Sequence, residues 1–399
     1  MRSYHLLFAA PGGSGHILPA LGVIDELVRR GHRVTVVTAA EFEDAVAATG
    51  ARFAPYTSAF EDFHVPDAMA EDDAEQLLND VYIADNVAIL RAAEQVAAQD
   101  SPDAVVYDVF HFIAGKLLAT KLNRPRVRIN GASNEHYSIW EDMRKSLGQR
   151  YPEEFEKTRR ELTVLLSEFG IDRPIRQFWE EVDDFNVAFI PRSFQIAAET
   201  FDERFVFTGP SFTPQRLEPQ WQPPDGDPPI LLVSLGSTWN EHPEFFQVCA
   251  QAFEGTPWHV VLAIGEYLDP ATLGDLPPNV EVHSWISFVD VLRHASVFIT
   301  QGTIGAVMES LYRGCPMLIF SHYAAEAAPF ANRAIELGLG HPLRAEQITA
   351  AALGKAVSDV AADEQVRRRI DDIRQEIHRS GGAARAASAI VEHLARVTS

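Results

Sequence analysis

A proline-rich segment divides this chain into two parts. Seven of its 24 prolines fall within residues 209–229. Proline fixes φ and removes a backbone donor, so neither a regular helix nor a central strand continues through such a segment. The sequence therefore predicts a first domain over residues 1–208, a linker over residues 209–229 and a second domain over residues 230–399. The last helix of the chain can pack back on the first domain.

Apolar strands alternate with amphipathic helices on both sides of the proline-rich segment. We predict strands over residues 4–10, 32–39, 104–109 and 126–130 in the first part, and over 230–236, 258–265, 280–285, 297–300 and 316–320 in the second. Such alternation is typical of parallel sheets covered by helices on both faces. The expected fold class is α/β, with two Rossmann-like doubly wound domains facing each other across a cleft. In these sheets, ligands bind outside the carboxyl ends of the strands.

The composition excludes several classes of protein. A formal net charge of -22 argues against partners that are nucleic acids or anionic membrane surfaces. No apolar run approaches the roughly 18 residues that a membrane-spanning helix needs. The only cysteines, Cys249 and Cys315, lie in apolar stretches without metal-ligand or redox spacing. We expect a cytoplasmic protein with no metal and no bound cofactor.

A glycine-rich loop follows the first predicted strand and ends in His16. The loop reads PGGSGH over residues 11–16 and precedes a helix predicted from about residue 17. It lacks the complete dinucleotide fingerprint, and no acid closes the second strand, so nicotinamide binding is weakly supported. At the helix N-terminus, the helix dipole is expected to keep the His16 imidazole neutral. A neutral imidazole can act as a general base. A lone histidine is more often structural, but the position of His16 in this loop favours a functional role.

Asp108 ends the apolar strand predicted over residues 104–109. A catalytic histidine usually has a carboxylate that orients it, and Asp108 is the best candidate for that role. The alternative is that Asp108 caps the helix that starts near residue 111. The sequence leaves both interpretations open.

A second glycine turn joins a strand to a helix over residues 300–309. Gly302 and Gly305 lie in this turn, and the first N–H groups of the helix can bind an anion. A local site of this kind is needed if such an acidic protein is to hold a diphosphate. The end of the strand at residues 234–237 can close around the same phosphates.

The region over residues 136–182 is helical in pattern and rich in aromatic residues. One interpretation is a pair of amphipathic helices packed on the sheet. The other is a wall of aromatic side chains that binds an acceptor. The two interpretations are compatible for the region as a whole.

Several longer motifs resemble one enzyme family. The motifs LVSLGS (residues 232–237), PPNVEVHSW (277–285) and the glycine turn with Glu309 occur in that order. They resemble the inverting GT-B antibiotic glycosyltransferases of the macrolide and enediyne group, nearly end to end. FHVP (63–66), NVAILRAAE (86–94), YDVF (107–110), NEHY (134–137) and EAAP (326–329) are most similar to members that glycosylate calicheamicin.

The resemblance implies a role for particular residues. His16 matches the catalytic base of the family, and Asp108 matches the acid that orients it. Trp285 matches the residue that stacks on the nucleotide base, and Glu309 the acceptor for the ribose hydroxyl. The nucleotide and donor-sugar positions are Ser237, Trp285, Ile286, Gln301, Gly302, Thr303, Gly305, Ala306, Glu309, His322 and Glu326. The acceptor positions are Phe63, Phe110, His136, Tyr137 and Trp140.

Three places depart from the family pattern. Ser287 and Phe288 stand where the family usually has proline and glutamine after the tryptophan. Gln301 stands where the family usually has histidine, and a glutamine amide donates a hydrogen bond to phosphate without adding charge. Ala306 stands where a serine is common, so one hydroxyl is absent.

The predicted function is transfer of a deoxysugar, with an aminopentose as one candidate, from a TDP-sugar to a hydroxyl group of an enediyne-type natural product. The expected partners are this small-molecule acceptor and the TDP-sugar, with a homodimer as an option. Alternatives are a macrolide or polyketide glycosyltransferase that uses a UDP- or TDP-sugar, and a non-catalytic homologue that assists a partner enzyme. A nucleotide-sugar epimerase and a nicotinamide-dependent oxidoreductase rank lower.

Overall fold

The computed structural model describes residues 2–61, 71–130, 152–236, 241–321 and 328–398. These residues form two compact units. The first unit comprises Met1–Phe189, Ala197–Phe212 and Gly382–Ser399, and the second comprises Ile190–Ile196 and Thr213–Gly381. None of the helices in the described ranges is both long and apolar enough to cross a membrane.

The first unit is built on a seven-stranded parallel sheet. Its strands are β1 (His5–Ala9), β2 (Arg33–Ala39), β3 (Arg52–Tyr56), β4 (Ala104–Asp108), β5 (Arg126–Ile129), β6 (Asn186–Ala188) and β7 (Phe205–Phe207). They are arranged in the order β3-β2-β1-β4-β5-β6-β7. The order reverses between β1 and β4, which pair in parallel with Ala9 opposite Tyr107. The loops after β1 and β4 are therefore neighbours at the carboxyl edge of the sheet, at the position where α/β sheets bind ligands.

Helices cover both faces of this sheet. They are α1 (Ser14–Arg29), α2 (Glu43–Ala48), α3 (Glu71–Gln99), α4 (Phe112–Leu122), α5 (Pro152–Glu168) and α6 (Ile175–Glu180). Alternate residues of β1 belong to different apolar clusters: Leu6 and Phe8 pack with α1, and Leu7 and Ala9 pack with α3 and α4. All five residues of β1 are buried, as expected for a central strand of a parallel sheet.

The second unit repeats this architecture with a six-stranded parallel sheet. Its strands are β8 (Ile230–Ser234), β9 (His259–Ala263), β10 (Val280–His283), β11 (Ala295–Thr300), β12 (Met317–Ile319) and β13 (Gly340–Pro342), in the order β10-β9-β8-β11-β12-β13. Its helices are α7 (Pro243–Ala252), α8 (Phe288–Val291), α9 (Ile304–Arg313), α10 (Ala328–Glu336), α11 (Ala350–Ala362) and α12 (Glu364–Ser380). The predicted pair of doubly wound parallel-sheet domains is confirmed.

The end of the chain returns to the first unit. Gly381 has a φ of 85° at the end of α12, and the last helix, α13 (Gly382–Val397), packs beside α1. Arg30 donates hydrogen bonds to the Ser388 hydroxyl (2.8 Å) and the Ala384 carbonyl (3.0 Å). The His393 ring stacks on Phe185 with centroids 4.5 Å apart. The C-terminal helix thus completes the core of the first unit.

The boundaries of several segments differ from the sequence predictions. The division within the proline-rich segment falls after Phe212, and residues 215–217 form a short 3-10 helix. Ile190–Ile196, placed in the first domain from the sequence, belongs to the second unit. The first helix begins at Ser14 rather than near residue 17, because Gly13 is the extended residue that precedes it. His16 therefore lies in the first turn of α1.

Candidate active site

His16 and Asp108 meet at the carboxyl edge of the first sheet. His16 lies in the first turn of α1, and Asp108 is the last residue of β4. Because β1 and β4 are adjacent, the two side chains approach to 2.9 Å between His16 Nδ1 and Asp108 Oδ1. The Asp108 side chain is fully buried, whereas 36% of the His16 side chain is exposed. A buried carboxylate therefore holds one ring nitrogen of a partly exposed imidazole, an arrangement suited to a general base.

Asp108 makes both of the contacts that the sequence left open. Its Oδ1 also accepts a hydrogen bond from the backbone N–H of Phe110, at 2.8 Å, and so caps the 3-10 turn Val109–His111. One carboxylate thus orients the histidine and fixes the loop that follows β4.

The electrostatics of the pair correct one prediction. Burial lowers the pKa of His16, but the Coulombic attraction of Asp108 and the hydrogen bond between them raise it more, so the pKa lies above the ordinary histidine value. Burial raises the pKa of Asp108, but His16 and two other donors hold it below its usual range. The expectation that His16 is kept neutral is therefore wrong in direction, because the nearby carboxylate favours the charged ring.

Sequence reasoning missed Asn130 as a member of this cluster. Asn130 follows β5 directly, and β5 pairs with β4 so that Ile129 lies opposite Asp108. The Asn130 side-chain nitrogen lies 2.7 Å from Asp108 Oδ2 and 3.1 Å from His16 Nδ1. A polar residue immediately after a buried strand was the available signal.

Phe110 is the predicted acceptor residue that the structure brings to His16. The two rings are tilted, with centroids 5.4 Å apart. Tyr82 and Phe60, which sequence reasoning did not select, pack on Phe110 with centroids at 4.8 and 5.8 Å. The other predicted acceptor residues lie outside the described residues: Phe63, His136, Tyr137 and Trp140.

A buried polar network supports the Phe110 loop from behind. The carboxylate of Asp85, on α3, accepts hydrogen bonds from the Ser58 hydroxyl (2.7 Å) and the Ala59 N–H (2.8 Å) and lies 2.7 Å from His111 Nε2. Burial raises the pKa of Asp85, but His111 and these donors lower it more. The adjacent Asn86 donates to the Phe110 carbonyl at 3.3 Å. The side chains of α3 therefore fix the position of Phe110 beside His16.

The second unit has a helix N-terminus, that of α9, where the sequence predicts an anion site. Thr303 precedes this helix, and its side chain makes no capping hydrogen bond. Gly302 has a φ of 85°, and a Cβ there would lie 2.7 Å from the Ala331 Cβ. A Cβ on Gly305 would meet no atom of the described residues within 4 Å, so these residues leave open space beside the first turn. These N–H groups, with the positive end of the helix dipole, can bind a diphosphate.

Glu309 lies one turn into α9 and is held by Arg216. The guanidinium of Arg216, in the proline-rich segment, donates to Glu309 Oε1 at 2.8 Å. Glu309 Oε2 is buried and has no hydrogen-bond partner among the described residues. Glu309 thus retains an acceptor atom for a ribose hydroxyl. The role of Arg216 was not predicted from the sequence.

The side chain of Gln301 is buried, and its amide nitrogen donates to the backbone carbonyl of Leu235. This contact follows from the pairing of β11 with β8, which places the loops after these strands side by side. The amide therefore joins these two loops, and the predicted donation from Gln301 to a phosphate stays a prediction. Ala306 is also buried, on the first turn of α9.

Trp285 lies two residues beyond β10, with 58% of its surface exposed. An exposed indole at the carboxyl edge of the sheet is available to stack on a nucleotide base. Ile286 beside it is half-buried. Ser237, His322 and Glu326 lie outside the described residues. Within the described ranges, no group of three or more histidine, cysteine or acidic side chains is placed to hold a metal ion.

Comparison with known proteins assigns the family. The sequence profile described as UDP-glucoronosyl and UDP-glucosyl transferase matches residues 211–380. The profile described as glycosyltransferase family 28 N-terminal domain matches residues 6–102.

Full-length relatives agree with these profiles. Over 399 residues, the chain is 35% identical to demethyllactenocin mycarosyltransferase of Streptomyces fradiae, covering 98% of this chain and 86% of that protein. It is 32% identical to the NDP-glycosyltransferase YjiC of Bacillus subtilis (strain 168), and the match covers 98% of this chain and 97% of that protein. The chain is also 51% identical in sequence to CalG4, the calicheamicin glycosyltransferase. The crystal structure of CalG4 superimposes on it with a TM-score of 0.89, and the match covers 100% of both chains. The chain belongs to the antibiotic and macrolide glycosyltransferases.

The glycosyltransferase has the GT-B fold, with one Rossmann-like sheet in each unit. The resemblance read from its motifs is confirmed. Because the chain belongs to a glycosyltransferase family, the oxidoreductase and epimerase alternatives are no longer supported.

Proposed function

We propose that the glycosyltransferase moves a deoxysugar from a TDP-sugar to a hydroxyl group of an enediyne-type natural product, with inversion at the anomeric carbon. The observation that carries this proposal is the contact of 2.9 Å between His16 Nδ1 and Asp108 Oδ1. The identity of 51% with the calicheamicin glycosyltransferase CalG4 supports an acceptor of that type. Thymidine as the base follows from the deoxysugar-transferring members that the motifs resemble.

In the proposed reaction, His16 removes the proton from the acceptor hydroxyl. The ionised Asp108 requires a hydrogen on Nδ1, so Nε2 is the nitrogen that accepts this proton. The bond from the acceptor oxygen to the anomeric carbon forms as the bond from that carbon to the diphosphate oxygen breaks. The products are the glycoside, the nucleoside diphosphate and the imidazolium, which Asp108 stabilises.

The second unit would bind the donor. The N-terminus of α9 beside Gly305 would stabilise the charge that grows on the leaving diphosphate, a contribution of roughly 3 kcal/mol for a donor of this kind. Trp285 would stack on the base, and Glu309 Oε2 would accept a ribose hydroxyl. Phe110 would contact the acceptor next to His16. In this assignment the first unit binds the acceptor and the second unit binds the nucleotide sugar.

A macrolide acceptor is the second candidate. The identity of 35% with demethyllactenocin mycarosyltransferase favours it. The two candidates differ in the acceptor only and share the roles of His16, Asp108 and the donor site.

The test is an assay of purified protein with TDP-, UDP- and GDP-sugars against an enediyne panel and a macrolide panel. Mass spectrometry would detect the glycoside, and NMR would give its anomeric configuration. We expect transfer from TDP-deoxysugars to enediyne-type acceptors, with inversion. Transfer to macrolides alone would favour the second candidate. Binding of nucleotide without transfer to any acceptor would favour the non-catalytic homologue.

A further inference from the structure

Asn130 occupies a strained backbone position beside His16 and Asp108. Its φ is 76°, in the left-handed region, and its side chain is buried. Asparagine tolerates this region better than most residues, but a non-glycine residue held there still costs free energy. This strained residue lies directly after β5, where its side-chain amide contacts both His16 and Asp108. Such a position indicates a side chain that is needed where it lies.

The hydrogen bonds of Asp108 are divided between its two oxygens. Oδ1 accepts from the Phe110 N–H at 2.8 Å and faces His16 Nδ1 at 2.9 Å. Oδ2 accepts from the Asn130 amide at 2.7 Å. Because Asp108 is fully buried, losing this donor would leave a charged oxygen without its partner. The Asn130 amide thus fixes the plane of the carboxylate.

The same amide acts on His16 directly. Its nitrogen lies 3.1 Å from His16 Nδ1, and Nδ1 must carry a hydrogen to donate to Asp108. Two donors then face each other, which disfavours additional positive charge on the ring. The amide also draws electron density from Asp108 and so weakens its attraction for the imidazolium. Both effects oppose the rise in His16 proton affinity that Asp108 causes.

We propose that Asn130 is a positioning residue of the His16–Asp108 pair, which orients the carboxylate through Oδ2 and limits the proton affinity of His16. The consequence for catalysis rests on the proposed function. A base that held its proton too tightly would be protonated at neutral pH and inactive. Asn130 keeps Asp108 ionised and oriented while leaving a larger fraction of His16 free to accept a proton.

Other titratable side chains lie near the His16–Asp108 pair, and none of them is substituted in the test variants. Tyr82, on α3, packs on Phe110, and burial raises its pKa well above that of ordinary tyrosine. The Asp85–His111 pair lies behind the same loop. Glu41 lies beside Gly12, in the loop before α1.

The decisive experiment is an NMR titration of the imidazole of His16, which requires no substrate. The full chain is labelled with ¹³C-histidine, and the His16 signal is assigned by its loss in His16→Gln. The test variant is Asn130→Gly, because glycine accepts the positive φ while removing the amide. We expect a higher His16 pKa in Asn130→Gly than in the wild type. Asn130→Asp, which replaces the donor with a second carboxylate, should raise it further.

Asn123→Gly is the matched control. Asn123 also has a positive φ, 49°, but it is exposed at the end of α4. This variant should titrate like the wild type. An unchanged His16 pKa in both Asn130 variants, with folding verified by their spectra, would overturn the proposal.

An activity measurement separates this inference from the proposed function. In Asn130→Gly, kcat/KM at low pH should fall several-fold more than its plateau at high pH, since the acid limb moves to higher pH. If the wild type transfers sugar but the pH profile of Asn130→Gly is unmoved, the positioning role fails and the function stands. If the pKa of His16 moves but the wild type transfers no sugar to any acceptor, the proposed function alone fails.

Discussion

Arg216 donates a hydrogen bond of 2.8 Å to Glu309, across 93 residues of sequence. The proline-rich segment therefore contributes to the proposed donor site as well as joining the two parts of the chain. The guanidinium donates to Oε1 of Glu309 and so orients the carboxylate, while Oε2 has no hydrogen-bond partner among the described residues and would accept the proposed ribose hydroxyl.

Arg216→Gln should weaken nucleotide binding, because Glu309 would lose the partner that orients it. We expect a rise of about tenfold in the Kd for TDP, or roughly 1.4 kcal/mol, close to the lower end of the range for a hydrogen bond to a charged group. Calorimetry would measure the change. Arg204→Gln, which breaks an exposed pair with Asp202, is the control. Equal affinities of the two variants for TDP would show that Arg216 does not support nucleotide binding.

Trp285→Ala should weaken TDP binding by about tenfold through loss of base stacking, whose usual contribution is roughly 1–3 kcal/mol. Thermal stability should hardly change, because 58% of the side chain is exposed. Tyr267→Ala removes another large aromatic side chain of similar exposure, 60%, and should bind TDP like the wild type. The stacking role is contradicted if both variants retain normal affinity.

Gly302→Ala and Gly305→Ala should separate stability from binding. A methyl group on Gly302 would clash with Ala331 and strain a φ of 85°, so we expect a loss of about 2 kcal/mol in unfolding free energy. Gly305→Ala meets open space and should not lower the melting temperature. Its methyl group should instead obstruct the diphosphate and raise the Kd for TDP several-fold. Tm and calorimetry on both variants would check this, and a reversed pattern would contradict the assigned anion site.

The pH dependence of kcat/KM should report His16. Asp108 raises the pKa of His16 above that of ordinary histidine, and only the neutral ring accepts a proton. Activity should therefore rise with pH, with a midpoint above the ordinary histidine value of about 6.5. Asp108→Asn removes the largest raising effect, so the midpoint should move to lower pH while the plateau falls by about 100-fold or more. A midpoint that stays in place in Asp108→Asn would show that another group titrates.

The sequence predicts the parts of the fold that consist of long apolar strands. β1, β4 and β8 are buried throughout, and β11 is buried over its last four residues. The residues expected to be functional lie at or just beyond the carboxyl ends of these strands. The strands β6, β7 and β13 have three residues each, too few to produce a periodic pattern. β3 contains Pro55, which is tolerated because β3 is an edge strand.

Contacts between distant residues explain the remaining differences. The direction of the Gln301 side chain depends on the position of the Leu235 carbonyl in a neighbouring loop. Asn130 becomes part of the site only when β5 pairs with β4. Arg216 reaches Glu309 from a segment whose prolines indicate only a linker. Local patterns carry none of this information, because each contact is created by the tertiary fold.

Single-turnover glycosyl transfer by wild type, His16→Gln and Asn123→Gly, with a TDP-deoxysugar and an enediyne-type acceptor, would test whether His16 is the catalytic base. We expect His16→Gln to bind TDP normally but to transfer sugar at least about 1,000-fold more slowly, while Asn123→Gly matches the wild type. Transfer by His16→Gln at a rate near that of the wild type would contradict the assignment of His16 as the base.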